Sequence, residues 1–293
     1  MDFHTVDLNH AGIAGAIAAY VVPDPAPLIV DPGPAASLPA LEAGLEAVGL
    51  RLTDIATVAL THVHLDHAGA TGTILGGNPE ARVYVHADGA PHLIDPERLV
   101  NSTRRTFGER SDELWGHTEP VDPDRIDVWT DGESRGPLGL DVLPSPGHIA
   151  HHLAYRRTAD GTLFAGDAMG IVLHPDRPSH PPTPPPSLDF SAWYDTLQGW
   201  EGMDVPRFAA THFGVYDDFA SRRAELLQAL HDLEARVTAE LAAGTDGSEA
   251  YGAEVVARMS DNGADRRVVE YFTTFPASTE WHGAAFHLKR RGR

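Results

Sequence analysis

The chain has 293 residues, of which 42% are hydrophobic, so it can bury the core of one large domain or of two modest domains. Its formal charge of −20 repels phosphate backbones and anionic lipid surfaces, and we therefore expect neither a nucleic-acid partner nor a membrane partner. The absence of cysteine excludes disulfides and thiolate metal ligands, and without a leader pattern or an apolar run of about 18 residues we expect a cytoplasmic protein.

Short apolar runs separated by helical patterns mark the first half of the chain, an order typical of an α/β fold. The predicted helices lie at 36–48 and 68–75, and the predicted strands are 17–22, 28–30, 55–60 and 82–86. Residues 91–115 mix apolar side chains with arginines and predict a helical cover.

The second half continues with strands and then becomes helical. Strands are predicted at 125–129, 138–143, 152–156, 162–165 and 207–211, and a helix is predicted at 191–200. The proline-rich segment 180–186 predicts an extended surface loop. From 220 onward leucines recur at helical spacing, and shorter helices follow at 249–259, 265–275 and 279–290. We expect a catalytic domain at 1–219 and a C-terminal helical extension at 220–293.

A histidine-rich bend follows the strand predicted at 55–60. His62 and His64 are two residues apart, so on extended chain they lie on the same side, about 6 to 7 Å apart at Cα, and can share one ion. Asp66 and His67 come after the chain has turned and can face a second ion. His148, Asp167 and His212 each follow a predicted strand, where α/β folds expose side chains to a common crevice.

These residues carry a resemblance to a known family. The motifs are THVHLDH at 61–67, SPGH at 145–148, AGD at 165–167 and TH at 211–212, with VDPG at 30–33 upstream. Together they resemble the metallo-β-lactamase-fold hydrolases, and in particular the glyoxalase II and lactonase-like members. The resemblance implies a four-layer αββα sandwich with a dinuclear metal centre at one edge, here with a C-terminal helical subdomain.

The resemblance also implies the role of each motif residue. The first metal ion would take His62, His64 and His148, the second would take Asp66, His67 and His212, and Asp167 would bridge the two. Asp31 would orient a ligand histidine. We expect two zinc ions, although manganese and iron accept the same ligands.

The implied chemistry is hydrolysis. A hydroxide that bridges the two ions would attack the carbonyl of an ester, lactone or thioester, and Asp66 would carry the proton to the leaving group. We expect a neutral or weakly charged small-molecule substrate, because the chain has only one lysine, Lys289. Two alternatives remain open: a mononuclear iron oxidoreductase like the persulfide dioxygenases, and a metal-dependent phosphodiesterase.

The substrate pocket is the least constrained part of this prediction. Phe107, Trp115, His174 and Tyr194 are candidates for its walls, although ordinary core packing explains the aromatic residues equally well. The C-terminal helices could shape this pocket or bury an apolar face in a homodimer, and both alternatives remain open.

Overall fold

Two β-sheets form the centre of the computed structural model, which describes residues 3–130, 133 and 135–291. One sheet has six strands in the order β1 to β6, and the other has five strands in the order β11-β10-β9-β8-β7. The strands are β1 (His4–Asp7), β2 (Ala18–Val22), β3 (Leu28–Val30), β4 (Thr57–Ala59), β5 (Arg82–His86), β6 (Ile126–Trp129), β7 (Leu140–Pro144), β8 (Leu153–Arg157), β9 (Leu163–Gly166), β10 (Phe208–Ala210) and β11 (Gly214–Tyr216).

Helices connect the strands and continue after them. They are α1 (Leu38–Ala47), α2 (Leu65–Ala68), α3 (Thr71–Gly77), α4 (Ala90–Ile94), α5 (Glu97–Phe107), α6 (Ser111–Trp115), α7 (Phe190–Gly199), α8 (Phe219–Ala243), α9 (Ser248–Met259), α10 (Arg266–Thr274) and α11 (Ser278–Arg291). Among the described residues, no helix combines the length and apolar character needed to cross a bilayer.

Alternation along the strands explains the four layers. In β2, Tyr20 belongs to a core cluster shared by both sheets, whereas its neighbour Val21 belongs to the cluster that includes the helices. In β9 the same holds for Phe164 and its neighbour Leu163. Because successive strand residues point to opposite faces, each sheet packs against the other sheet on one face and against helices on its other face. This is the predicted αββα sandwich.

Strand direction brings the candidate site residues to one edge. β3, β4, β5 and β6 run parallel, as do β9 and β10. Because parallel strands run in the same direction, their carboxyl ends lie along the same edge. The segments that follow β3, β4, β9 and β10 carry Asp31, the histidine-rich bend, Asp167 and His212.

The C-terminal helices share the main core. Leu226, Leu230 and Val237 of α8 are buried in the same cluster as Phe190 and Trp193 of α7. A domain boundary near residue 219 therefore stays a proposal about the start of α8. The outer ends of the two expected domains, residues 1–2 and 292–293, lie outside the described residues.

Local differences from the predicted elements have physical causes. β1, which the sequence analysis did not predict, is a short edge strand with a single buried side chain. The helix predicted at 68–75 is divided into α2 and α3. The prediction that 180–186 forms a surface loop is wrong for its first half, because residues 180–183 are buried. Prolines exclude regular structure at this segment, but they do not decide whether other elements cover it.

Candidate metal centre

Seven imidazole and carboxylate side chains meet at the common edge of the sheets. Their possible ligand atoms form three overlapping groups, each with all its atoms within 4.8 Å of one another. The groups are His62 with His64 and His148, His62 with His67 and Asp167, and Asp66 with His67 and His212. The structure thus brings together every metal ligand that the sequence analysis named.

The first group consists of three imidazoles. Nδ1 of His64 lies 2.9 Å from Nε2 of His62 and 2.9 Å from Nε2 of His148. Burial lowers the pKa of His62 well below its usual value and lowers the pKa of His64 to about 3. Burial also lowers the pKa of His148. The three rings are therefore neutral near pH 7 and offer free lone pairs, which metal binding requires.

The second group balances carboxylates against imidazoles. Oδ2 of Asp66 lies 3.7 Å from Nε2 of His67 and 3.4 Å from Nε2 of His212. Burial opposes the ionisation of Asp66, yet the two imidazoles hold its pKa below the usual value. Burial likewise opposes protonation of His67 and His212, but the neighbouring carboxylates raise both pKa values. The carboxylates of this group are therefore stabilised by neighbouring positive charge, which protons on the imidazoles or a bound cation can supply.

Asp167 lies between the two groups. Its Oδ2 atom is 3.3 Å from Nε2 of His148, and its Oδ1 atom is 3.3 Å from Nε2 of His67 and 3.6 Å from Nε2 of His212. One carboxylate oxygen thus faces each half. The carboxylate is almost fully buried, and although burial opposes its ionisation, the surrounding imidazoles hold the pKa of Asp167 well below its usual value.

Two buried atoms provide a test of whether this cluster fits a metal ion. Nε2 of His67 and Oδ1 of Asp167 face each other without forming a hydrogen bond, and neither has another hydrogen-bond partner among the described residues. Buried polar atoms normally have such partners. Nitrogen and carboxylate ligands suit zinc, manganese and iron alike. The residues present therefore fit a divalent cation without choosing its identity.

Asp31 holds one of the ligand candidates from behind. Its fully buried carboxylate accepts hydrogen bonds from the amide and hydroxyl of Thr61, at 2.8 and 2.7 Å, and from the hydroxyl of Thr211 at 3.1 Å. It also lies 2.8 Å from Nδ1 of His67, which leaves Nε2 of that ring free for the centre. This contact is the one that an orienting role for Asp31 would require, and the role stays a prediction.

The turn before Asp167 requires a residue without a side chain. Gly166 has φ +52°, and a Cβ atom there would lie 2.6 Å from Nε2 of His152 and 2.7 Å from the hydroxyl of Thr61. His152 instead accepts a hydrogen bond from the amide of Asp167 at 3.1 Å, while its other nitrogen contacts the hydroxyl of Ser145 at 2.7 Å. His152, which the sequence analysis did not choose as a ligand, thus supports the segment that carries Asp167.

A cavity of about 550 Å³ opens onto the cluster. Asp66, Asp167 and His212 are among the residues that line it. Phe107 and Trp115 line one wall together with Phe275, with ring centroids 5.4 to 6.0 Å apart. Such a combination of apolar walls and a few polar groups is typical of a small-molecule site.

The structure separates the four predicted wall residues. Phe107 and Trp115 line the cavity, whereas His174 and Tyr194 are not among the described residues that do so. The hydroxyl of Tyr194 donates a 2.7 Å hydrogen bond to Glu234 of α8, so this ring faces the C-terminal helices. His174 lies 3.8 Å from the exposed carboxylate of Asp176.

Other cavity residues were missed by the sequence analysis. His10, Tyr271 and Phe275 line the cavity, although they lie far from the motifs in sequence. The hydroxyl of Tyr271 lies 3.4 Å from Nδ1 of His212. A single sequence gives no signal for such residues, because each resembles an ordinary core residue until the chain is folded.

Curated proteins with detectable similarity match about half of this chain. A metallo-beta-lactamase fold-containing protein of Sulfurisphaera tokodaii is 26% identical over 152 residues, which cover 48% of this chain and 54% of that protein. A hydroxyacylglutathione hydrolase of Aeromonas salmonicida is 31% identical over 145 residues, which cover 48% of this chain and 42% of that enzyme. The chain spans about half the length of the curated relatives it matches.

The fold comparison extends over nearly the whole chain. The crystal structure of a metallo-beta-lactamase family protein from Thermus thermophilus has a TM-score of 0.69 and 23% sequence identity, and the match covers 99% of this chain and 94% of that one. At this identity the likeness concerns the fold. The family model described as the metallo-beta-lactamase superfamily matches residues 12–212, more than half of the 293 residues. The chain therefore belongs to the metallo-beta-lactamase superfamily.

Proposed function

We propose that this chain is a dinuclear metal-dependent hydrolase that cleaves an ester, lactone or thioester at its carbonyl carbon. The observation that carries the proposal is the position of Asp167. Its two carboxylate oxygens face two different groups of histidines, at 3.3 Å in each direction. A carboxylate that served one ion alone would need only one of these groups.

We assign the residues that would hold the ions from the family resemblance, and the three groups of neighbouring ligand atoms support this assignment. His62, His64 and His148 would hold the first ion, Asp66, His67 and His212 the second, and Asp167 both, with zinc as the first expectation. When bound, divalent ions supply Lewis acidity, which lowers the pKa of water and stabilises negative charge on oxygen. His62 and His67 are fully buried, so they would present their ligand nitrogens to the ions away from bulk solvent.

Asp66 is the group we assign to proton transfer. Its side chain is 21% exposed and lines the cavity, whereas the side chain of Asp167 is only 4% exposed. Although burial opposes ionisation, the neighbouring imidazoles keep the Asp66 carboxylate ionised at neutral pH, and only the ionised form can accept a proton from water and deliver it to a leaving group. Geometry supports this role because Asp66 is the cluster carboxylate most accessible to a substrate.

The walls of the cavity favour a substrate with an apolar acyl group. Phe107, Trp115 and Phe275 offer aromatic surface beside the cluster. A thioester is the first candidate, because relatives at about 30% identity are named hydroxyacylglutathione hydrolases. Arg98 and Arg105 also line the cavity, where they would contact an anionic leaving group. Substrates with an anionic leaving group therefore join the neutral or weakly charged substrates that the sequence led us to expect.

The test combines metal analysis with a substrate panel. We expect two metal ions per chain, and zinc-loaded protein that hydrolyses at least one class among p-nitrophenyl esters, homoserine lactones and S-acyl thiols. His62→Ala and Asp167→Ala should each lose bound metal and activity, whereas the exposed His117→Ala should retain both. One iron per chain together with no hydrolysis of any class would contradict the proposal.

A further inference from the structure

Two of the ligand candidates depend on groups that the C-terminal helices hold. Nδ1 of His148 donates a 2.8 Å hydrogen bond to the carbonyl of Pro182. Nδ1 of His212 lies 3.1 Å from the carbonyl of Ala16 and 3.4 Å from the hydroxyl of Tyr271 in α10. The contact made by the second nitrogen of an imidazole fixes the direction in which its ligand nitrogen points.

The carbonyl of Pro182 lies in a segment that α9 and α11 cover. His180 is fully buried, and its Nε2 atom is hydrogen-bonded to the carboxylate of Glu280 in α11. Nη2 of Arg258 in α9 donates to its Nδ1 atom at 3.0 Å. Nδ1 therefore accepts and Nε2 donates, so both ring nitrogens are used.

Two further contacts connect this segment directly to α11. The hydroxyl of Thr183 donates a 2.9 Å hydrogen bond to the main-chain carbonyl of Glu280. A Cβ atom at Gly283 would lie 1.8 Å from the carbonyl oxygen of Thr183, so this turn of α11 packs against the segment without space for a side chain. The chain is thus held on both sides of Pro182, at His180 and at Thr183.

We propose that the C-terminal helices position the metal ligands. In this proposal Glu280, His180 and Thr183 fix the carbonyl of Pro182 and thereby orient His148, while Tyr271 orients His212. Each is a positioning residue, because it acts on the metal through another side chain. The inference rests on the metal centre of the proposed function but does not depend on which bond the enzyme cleaves.

The measurement is the affinity of metal-free, full-length protein for zinc, taken as two stepwise dissociation constants from competition with a chromophoric chelator. His148→Ala and His212→Ala serve as references, because each removes a ligand from one group and so identifies the constant that belongs to it. Near-ultraviolet circular dichroism of each metal-free variant verifies that it is folded.

The positioning variants should act selectively. Glu280→Leu should raise the zinc dissociation constant that His148→Ala identifies by about 10- to 100-fold. Tyr271→Phe should raise the dissociation constant that His212→Ala identifies by a similar factor. Thr183→Val removes one hydrogen bond at nearly constant shape and should weaken the His148 constant about threefold to tenfold. If Glu280→Leu fails to fold, Thr183→Val decides the His148 arm.

Matched controls remove comparable groups elsewhere in the helical region. Glu254→Leu removes the exposed carboxylate that pairs with Arg236, and Tyr194→Phe removes the hydroxyl that binds Glu234. Both should leave the two zinc dissociation constants within about threefold of the parent values, which is the smallest change in affinity expected from the loss of one hydrogen bond.

Unchanged constants in folded Thr183→Val and Tyr271→Phe would overturn the proposal, and so would equal weakening of both constants in variants and controls alike. A parent chain that binds zinc but hydrolyses nothing would instead count against the proposed function alone. The two failures are therefore distinguishable.

Discussion

His10 occupies an unusual setting for an imidazole. Its ring stacks between Trp115, with centroids 5.2 Å apart, and Phe275, with centroids 5.4 Å apart. Neither ring nitrogen has a hydrogen-bond partner among the described residues. Its neighbours Asn9 and Ala11 have φ values of 44° and 55°. Residues other than glycine rarely adopt this backbone conformation. The fold thus keeps a neutral ring at the wall of the cavity.

This setting predicts a pH dependence of stability. Burial lowers the pKa of His10 to about 4, although the nearby Asp66 acts in the opposite direction. The unfolded chain has the usual pKa of about 6.5, so it binds the proton first as the pH falls. The resulting loss of stability begins near pH 6.5 and grows down to about pH 4. At pH 5 it amounts to about 2 kcal/mol.

His10→Phe should remove this part of the acid sensitivity. We expect the metal-free variant to lose about 2 kcal/mol less stability than the parent between pH 7 and pH 5. Urea unfolding at both pH values measures the difference. Replacement of the exposed His117 by Phe is the control and should leave the pH dependence unchanged. Equal losses in the parent chain and His10→Phe would refute this account.

The spacing of His62 and His64 and the family resemblance were sufficient to name the candidate metal ligands, but not the residues that support them. His62 and His64 are recognisable because two ligands in extended chain must be two residues apart. Tyr271 and Pro182 carry no such signal, since an aromatic residue in a helix and a proline in a loop have many other uses. Their roles depend on contacts between residues far apart in the chain, which a single sequence does not encode in any local pattern.

Helix α5 presents a basic face to the cavity. Arg98 and Arg105 are seven residues apart, or two turns of the helix, and both are exposed and line the cavity. Neither forms a hydrogen bond or an ion pair within the described part of the chain. Arg104, on the same helix, instead contacts Asp112 at 3.2 Å. In a chain with a formal charge of −20, this face is a local exception that can attract an anionic group.

Substitution of these arginines should affect anionic substrates selectively. Arg98→Gln and Arg105→Gln should each raise KM about tenfold for a thioester whose thiol part carries a carboxylate, because a hydrogen bond to a charged group is lost. The methyl ester of the same compound should show little change, and kcat should stay near the parent value. Steady-state kinetics at low and high salt provide the measurement.

Arg104→Gln is the matched control, since it removes the same charge from the same helix but outside the cavity. It should leave the KM of both compounds unaltered. An equal rise of KM for the charged and the neutral compound in Arg98→Gln and Arg105→Gln would mean that these side chains do not read substrate charge.

The elements were predicted correctly where apolar periodicity was strong, but the direction in which individual helical side chains point was not. The strands β2 to β10 and the helical cover at 91–115 were predicted from their patterns, whereas the edge strands β1 and β11 were not. Tyr194 was assigned to the pocket because of its position in the chain, but adjacent helical residues point about 100° apart. Its neighbour Trp193 is the one that faces the site, with its ring 5.9 Å from that of His148. Sequence alone gives the periodicity of such a helix but not its rotation.

The whole molecule should depend on its metal ions for stability. Asp31, Asp66 and Asp167 bring three carboxylates together at one edge of the sheets, next to His67. Zinc that binds only the folded chain, at about a thousand times its dissociation constant, would add about 4 kcal/mol. For a chain of this size that corresponds to about 7 °C in Tm.

A chelator should therefore lower the Tm of zinc-loaded protein by about 7 °C, as measured by calorimetry. Asp167→Ala is the control, because it lacks the group that faces both halves of the site and should respond much less. If the parent chain and Asp167→Ala responded equally, the chelator would be acting outside this site.

The C-terminal helices should be required for folding as well as for the site. Val237 and Leu230 of α8 are buried in the same core cluster as Trp193 and Ile171. A chain that ends at residue 218 would expose this surface, and we expect it to lose cooperative thermal unfolding. A cooperative transition in the shortened chain would show that residues before α8 fold on their own and would favour the proposed domain boundary.

The register of β4 determines both the packing of the core and the orientation of two candidate metal ligands. Val58 and Ala59 of β4 face opposite layers, and His62 and His64 follow them on the same continuous stretch of chain. A one-residue slip of β4 would exchange buried and outward positions and would also turn both imidazoles away from their partners. Misaligned molecules are thus neither well packed nor able to capture the cation. We therefore expect metal uptake from solution to discriminate between correct and incorrect strand pairing.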